Sequence, residues 1–148
     1  MSPIVSDSSP LIALSRINQL ALLSQLFDTI LIPPAVSQEV FPKGKRKKGA
    51  AALRSAAWLI IQNLHDPHSL DVVSPALDVG ERAAVALAYE QNCELLVDET
   101  LGKQEAKRLG VKAFGTLAVL LEAKAQKLIP AVKLPAHRAG LLERRLRN

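Results

Sequence analysis

Ile4-Val5-Ser6-Asp7-Ser8-Ser9-Pro10 is the stretch whose reading decides the fold. A short apolar run stops at an acidic, hydroxyl-rich turn. Pro10 suits the first position of a helix, and Ser9 before it suits the cap. Strand, turn and helix are expected in that order. Leu11, Ile12, Leu14, Ile17, Leu20, Leu22, Leu23, Leu26 and Phe27 come next at helical spacing, in two pieces separated near Arg16 to Asn18. Their apolar stripe needs a sheet to cover.

The same alternation continues along the chain. Thr29 to Ile32 reads as a second strand, ended by Pro33-Pro34, which open a helix carrying Ala35, Val36, Glu39 and Val40. A basic run, Lys43 to Lys48, leads into an alanine-rich helix at Gly49 to Ala57, then a third strand at Trp58 to Ile61 and a polar loop from Asn63 to Ser69. Asp78-Val79-Gly80-Glu81 has the form of a capping box opening a helix that Asn92 stops. Glu94 to Val97 is a fourth strand running into Asp98-Glu99-Thr100. A helix at Gln104 to Leu109, a short fifth strand at Val111 to Phe114, an apolar helix after Gly115-Thr116 and a basic helix from about Ala136 complete the chain. Strands alternating with helices predict one α/β domain over residues 1–148, a three-layer α/β/α arrangement with a central parallel sheet and right-handed crossovers.

Composition agrees with that reading. With 148 residues, 49% of them hydrophobic and only 3% aromatic, the chain can fill a core with Leu, Ile, Val and Ala. Cys93 is the single cysteine, which excludes an internal disulfide, and three histidines are too few for a zinc site. No segment reaches membrane-spanning length and no leader pattern opens the chain, so no membrane association and a cytoplasmic location are expected. The formal charge of +5 is concentrated in Lys43, Lys45, Arg46, Lys47 and Lys48 and in Arg138, Arg144, Arg145 and Arg147. Such runs fit a polyanion such as nucleic acid, or simply a solvated surface.

In an open parallel sheet, ligands gather beyond the carboxyl ends of the strands. Asp7 comes directly after the first strand, Asp98 after the fourth, and Glu81 lies in the first turn of a helix. Singly, each suits a helix N-terminus. Together they would repel one another and raise their own pKa values unless a cation were shared. Oxygen ligands without a thiolate or imidazole set point to Mg²⁺ or Mn²⁺.

Five ordered stretches resemble the PIN-domain family, in particular its VapC-like branch. They are Ile4 to Leu14; Ile32-Pro33-Pro34-Ala35-Val36 with Glu39-Val40; Gly80 to Ala88; Leu95-Leu96-Val97-Asp98-Glu99; and Gly115 to Leu120. The likeness runs from about Ile4 to Pro130. It implies five parallel strands in the order 3-2-1-4-5 and a site of four acids, Asp7, Glu39, Glu81 and Asp98. The expected metal ligands are Asp7, Glu81 and Asp98 or Glu99, with Ser9 supporting the first aspartate. The chain has Asp98-Glu99 where the branch often shows paired aspartates, and Gly102-Lys103 where Gly-Arg is common. These departures leave the ligand open between Asp98 and Glu99, and Lys103 is a candidate phosphate contact.

The implied activity is hydrolysis of RNA phosphodiester bonds with Mg²⁺ or Mn²⁺, as the toxin of a toxin–antitoxin pair. Lys45, Arg46, Lys47 and Lys48 would hold the RNA backbone without reading sequence. A cognate antitoxin and a homodimer are the expected protein partners. The competing reading is a non-cleaving nucleic-acid-binding or partner-binding module. A phosphatase forming an aspartyl phosphate fits less well, since Ser9 stands where a second aspartate belongs, and neither common glycine-rich phosphate motif occurs.

Overall fold

The sheet is built from the middle outward, starting at the first strand. In the computed structural model, which describes residues 2–42 and 50–129, β1 (Ile4–Ser6) pairs in parallel with β2 (Ile30–Ile32) on one side and β4 (Glu94–Leu96) on the other. Outside these lie β3 (Leu59–Ile61) and β5 (Ala113–Phe114), giving a five-stranded parallel sheet in the order 3-2-1-4-5. Every crossover must then be long enough to carry a helix. These are α1 (Ser8–Arg16) and α2 (Leu22–Leu26), α3 (Pro34–Val40) and α4 (Ala50–Arg54), α5 (Val79–Gln91), and α6 (Thr100–Arg108). After β5 comes α7 (Thr116–Ala125).

Two groups of helices cover the sheet. α5 packs on β1 and β4 and against α6, while α7 packs against α1 and α2; α3 bridges α1 and α5. The core is aliphatic, as the scarcity of aromatics requires: Val5, Leu11, Leu14, Leu23, Ile32, Val36, Leu87, Leu95 and Leu96 are all fully buried. α5 is buried along most of its length, from Ala83 to Ala88, because it crosses the centre of the sheet. Alanines there let the helix approach the strands closely. Asn92 ends it in a left-handed conformation with φ 54°, its amide reaching back to the carbonyls of Ala88 and Tyr89.

Several boundaries differ from the sequence expectation for local reasons. α1 begins at Ser8, with Asp7 rather than Ser9 in the cap position, and no side chain caps it. α6 begins at Thr100, a full turn before Gln104, because the extended Glu99 serves as its N-terminal flank and its carbonyl accepts from the Lys103 amide at 3.1 Å. The polar segment read as a loop, Asn63 to Ser69, runs into a 3-10 helix, Pro67–Val72, that Asp66 caps by accepting from the His68 amide at 3.0 Å. β5 is only two residues long. The basic run with Lys45, Arg46, Lys47 and Lys48, and the basic helix expected from about Ala136, lie outside the described residues.

The crossover from β3 to α5 is fastened by side chains. Arg82 donates to the carbonyls of Leu70 at 2.9 Å and Val73 at 3.2 Å. Arg108 donates to the Val72 carbonyl at 2.7 Å and pairs with Glu105, which in turn accepts from the Ser74 amide. Glu90 accepts from the His65 and Asp66 amides and from the Ser69 hydroxyl. Backbone groups that no ladder reaches are thereby paired.

Leu95 sits on β4 between β1 and β5 with no exposed surface. Leu95→Ala is expected to cost about 2–5 kcal/mol in a urea unfolding curve. A cost below about 1 kcal/mol would show that the sheet centre is not the tightly packed layer described.

Candidate metal centre

Asp7 is the first residue past β1, and its amide donates to the Leu96 carbonyl at 2.9 Å, continuing the ladder with β4. That register puts Asp7 level with Val97. Side chains alternate along extended chain, so Asp7, Val97 and Glu99 project to one side and Asp98 to the other. The structure obeys this alternation. Both oxygens of Asp98 are taken by Thr116, one accepting from its amide at 2.7 Å and the other from its hydroxyl at 2.6 Å. Asp98 therefore caps α7 from a distance, a function that Gly115, the residue at the cap position, cannot supply.

On the opposite side the acids gather. Asp7 is almost fully buried, and its pKa is raised to about 6, first by burial and then by the charges of Glu39, Asp78 and Glu99; a hydrogen bond from the Ser8 amide partly offsets them. Glu81, in the first turn of α5, is raised to about 8 by burial, by a hydrogen bond shared with Asp78, and by the charges of Asp78, Asp7 and Glu99. Glu39, from α3, accepts from the Ser8 hydroxyl at 2.8 Å. Asp78 caps α5 by accepting from the Glu81 amide at 2.8 Å, as the capping-box spacing predicts.

Of the residues singled out in the sequence, the fold thus brings together Asp7, Glu39, Glu81 and Glu99. It turns Asp98 away. Ser9 is exposed, and its neighbour Ser8 is the serine that touches an acid. Lys103 lies with Asp98 on the α7 side, where both border a cavity of about 450 Å³ that Phe27, Phe114 and Leu117 help to line. Sequence reading took Asp78 only as a cap and passed over Ser8 and the link from Asp98 to Thr116. The alternation past Val97 is the signal that separates Asp98 from Glu99.

Asp7 Oδ1 and Glu81 Oε2 are buried without any hydrogen-bond partner. Orphaned carboxyl oxygens are costly, and two of them beside three further carboxylates suit a hard divalent cation. Among the described residues no three acidic, histidine or cysteine side chains stand in a ready coordinating arrangement. Closing the acids around an ion therefore requires side-chain rotation and loss of the protons on Asp7 and Glu81. The donor set, all carboxylate oxygen, fits Mg²⁺ or Mn²⁺.

The raised pKa values set the sign of a pH dependence. Folded, metal-free protein keeps protons that the unfolded chain has already released, so this stabilisation is complete below about pH 4 and is lost as pH climbs through about 6 and then about 8. Glu90 and Glu105, whose pKa values are lowered, act oppositely and only on acidification below the usual glutamate range. The melting temperature of metal-stripped protein is expected to fall by about 5 °C between pH 5 and pH 8.5, with Mg²⁺ reversing the fall. A flat profile over that range would remove the charge cluster from consideration.

A second measurement separates the adjacent acids. Asp98→Ala is expected to cost about 1–2 kcal/mol of stability as a lost cap and to leave Mn²⁺ affinity nearly unchanged. Glu99→Gln should weaken Mn²⁺ binding about 10-fold with little loss of stability. The reverse pattern would assign the ligand to Asp98.

Comparison with known proteins agrees with the fold. The model of a family described as a PIN domain matches residues 3–136. Among solved structures, a PilT N-terminus domain protein from the hyperthermophilic archaeon Sulfolobus solfataricus P2 is similar over 91% of this chain and 100% of its own, with a TM-score of 0.58 and 19% identity, a likeness of fold. No curated protein matches the chain.

Proposed function

This chain belongs to the PIN-domain family, whose members are generally metal-dependent nucleases, and on that premise we propose that it hydrolyses RNA phosphodiester bonds as the toxin of a toxin–antitoxin pair. The observation that carries the reading is the pair of buried, partnerless oxygens on Asp7 and Glu81 inside a ring of further carboxylates. Mg²⁺ or Mn²⁺ bound there would supply charge neutralisation at the scissile phosphate and acidify a water for in-line attack. Asp7, Glu81 and Glu99 would hold it, with Glu39 completing the set.

The protein's own groups have defined tasks. Glu81, raised by burial and by its acidic neighbours, would give up a proton to hold a cation, so binding should strengthen with rising pH. Asp7 is fixed by the sheet itself, its backbone N–H donating a hydrogen bond to the Leu96 carbonyl. With water as the attacking group, no nucleophilic side chain is needed. Lys45, Arg46, Lys47 and Lys48 would grip the RNA backbone, and Lys103, on the α7 side with Asp98, would touch a phosphate beyond the acid cluster.

An antitoxin is the proposed protein partner, and exposed apolar residues at the cleft support it. Val79 and Leu101, 78% and 59% exposed, stand in the first turns of α5 and α6, the helices whose N-terminal ends carry Glu81 and follow Glu99. They would give an inserted segment apolar contact at the cleft rim. A homodimer and a cytoplasmic location belong to the same proposal; no helix among the described residues is long and apolar enough to cross a membrane.

The test is incubation of the purified protein with RNAs and single-stranded DNAs in Mg²⁺, Mn²⁺ or EDTA, beside Asp7→Asn. Cleavage of RNA is expected only with the metal, and Asp7→Asn should lose about 100-fold or more in rate. Cleavage that survives EDTA, or is equal in the variant, would overturn the metal mechanism. Metal-independent RNA binding without cleavage would favour the non-cleaving module instead.

A further inference from the structure

Local structure alone gives Glu39 little to fix it, since it sits near the end of a seven-residue helix and is largely exposed. Its carboxylate is nevertheless placed by two contacts from separate elements. One is the hydroxyl of Ser8, at the start of α1, which donates to Oε2 at 2.8 Å. The other is Gly80, in the first turn of α5. A Cβ built there would overlap Glu39 Oε1 outright and stand 3.0 Å from its Cδ and 3.5 Å from Oε2. The three nearest atoms to that missing methyl are all from Glu39.

We propose that Gly80 is a positioning residue: its bare Cα forms the seat on which the Glu39 carboxylate rests, held from the other side by Ser8, so that Glu39 joins the acid cluster. This rests on the metal-nuclease reading for its purpose, but the seat itself is a matter of geometry. Gly80 has a helical conformation with no left-handed φ, so no turn or backbone requirement calls for glycine. Glycine is also the poorest helix former after proline. What the position does require is room. The free amides at the start of α5 add positive potential under the carboxylate, and α3 packs against both α1 and α5, which keeps the three partners together.

The same clearance recurs on the neighbouring helices. A Cβ on Gly102 would lie 3.1 Å from Glu81 Oε2, and one on Gly115 would lie 2.6 Å from Asp98 Oδ1. Those two sites also meet less yielding groups, the Val97 side chain at 2.9 Å and the Val97 carbonyl at 3.4 Å. At Gly80 only the end of a flexible side chain has to move, so Gly80→Ala displaces the acid and spares the fold.

The experiment uses the full chain and Mn²⁺ as the probe, with affinity read by water-proton relaxation and stability by urea midpoint of the metal-free protein. Gly80→Ala should keep or raise the urea midpoint while weakening Mn²⁺ binding about 10-fold, a loss typical of misplaced groups around a metal. Glu39→Ala should weaken binding to a similar degree, and the double variant no further. Ser8→Ala should lower the midpoint in wild type and leave it unmoved in the Gly80→Ala background, with Ser8→Thr restoring it in wild type. Two results would overturn the proposal: Mn²⁺ affinity unaffected by Gly80→Ala while Glu39→Ala weakens it, or equal effects of Ser8→Ala in both backgrounds. If wild type binds no Mn²⁺, the nuclease reading falls, and the urea coupling between Ser8 and Gly80 still decides whether the seat exists.

Discussion

Asp7 donates its amide to the carbonyl of Leu96, and through that bond the first and fourth strands are locked in a single register. A slip of one residue would send each side chain to the other face. Asp7 would lose its place opposite Val97, Glu99 would turn toward α7, and Asp98 would enter the cleft without the threonine that now satisfies it. The strands are short, three residues each in β1 and β4, so the register is held as much by the helices that succeed them as by the ladder. Helices α1, α5 and α6 all begin at this edge of the sheet, and their first turns deliver Ser8, Glu81 and the flanking Glu99 to one place.

Collecting acids in a dry cleft is unfavourable for the protein alone. Burial is the largest influence on both Asp7 and Glu81, and neighbouring negative charge adds to it. Both carboxyls are accordingly raised above their ordinary range, which favours their protonated forms when no cation is shared. Such a site is destabilising by the nature of its chemistry and is tolerated because the aliphatic core beneath it is fully buried.

Much of this was legible in the residues. The alternation of β-branched runs with helical periodicities gave the element order, and the capping-box spacing placed Asp78 and Glu81 correctly. The strand order came from the family resemblance, and the pairing of β1 with both β2 and β4 agrees with it. Local propensity failed where a distant group did the work. Ser9 looked like a cap because it precedes a proline suited to the first helical position, yet α1 starts two residues earlier, at Ser8, with no side-chain cap at all. The choice between Asp98 and Glu99 stayed open in the residues, because the partner of Asp98, Thr116, is 18 residues away and touches it only once β5 has paired with β4. The placement of Glu39 was likewise invisible, since it depends on an empty volume over Gly80 that no pattern of side chains records.

The arginines that fasten the β3 to α5 crossover bear on how the chain would meet a polyanion. Arg82 and Arg108 count toward the formal charge of +5, yet their guanidinium groups are spent on main-chain oxygens of Leu70, Val72 and Val73. A guanidinium satisfied in that way has fewer donors left to grip phosphate, and moving it would unfasten the loop that leads into Asp78. The cationic surplus visible in the composition therefore overstates the number of guanidinium donors free for direct phosphate contact, because these two side chains already hold main-chain oxygens.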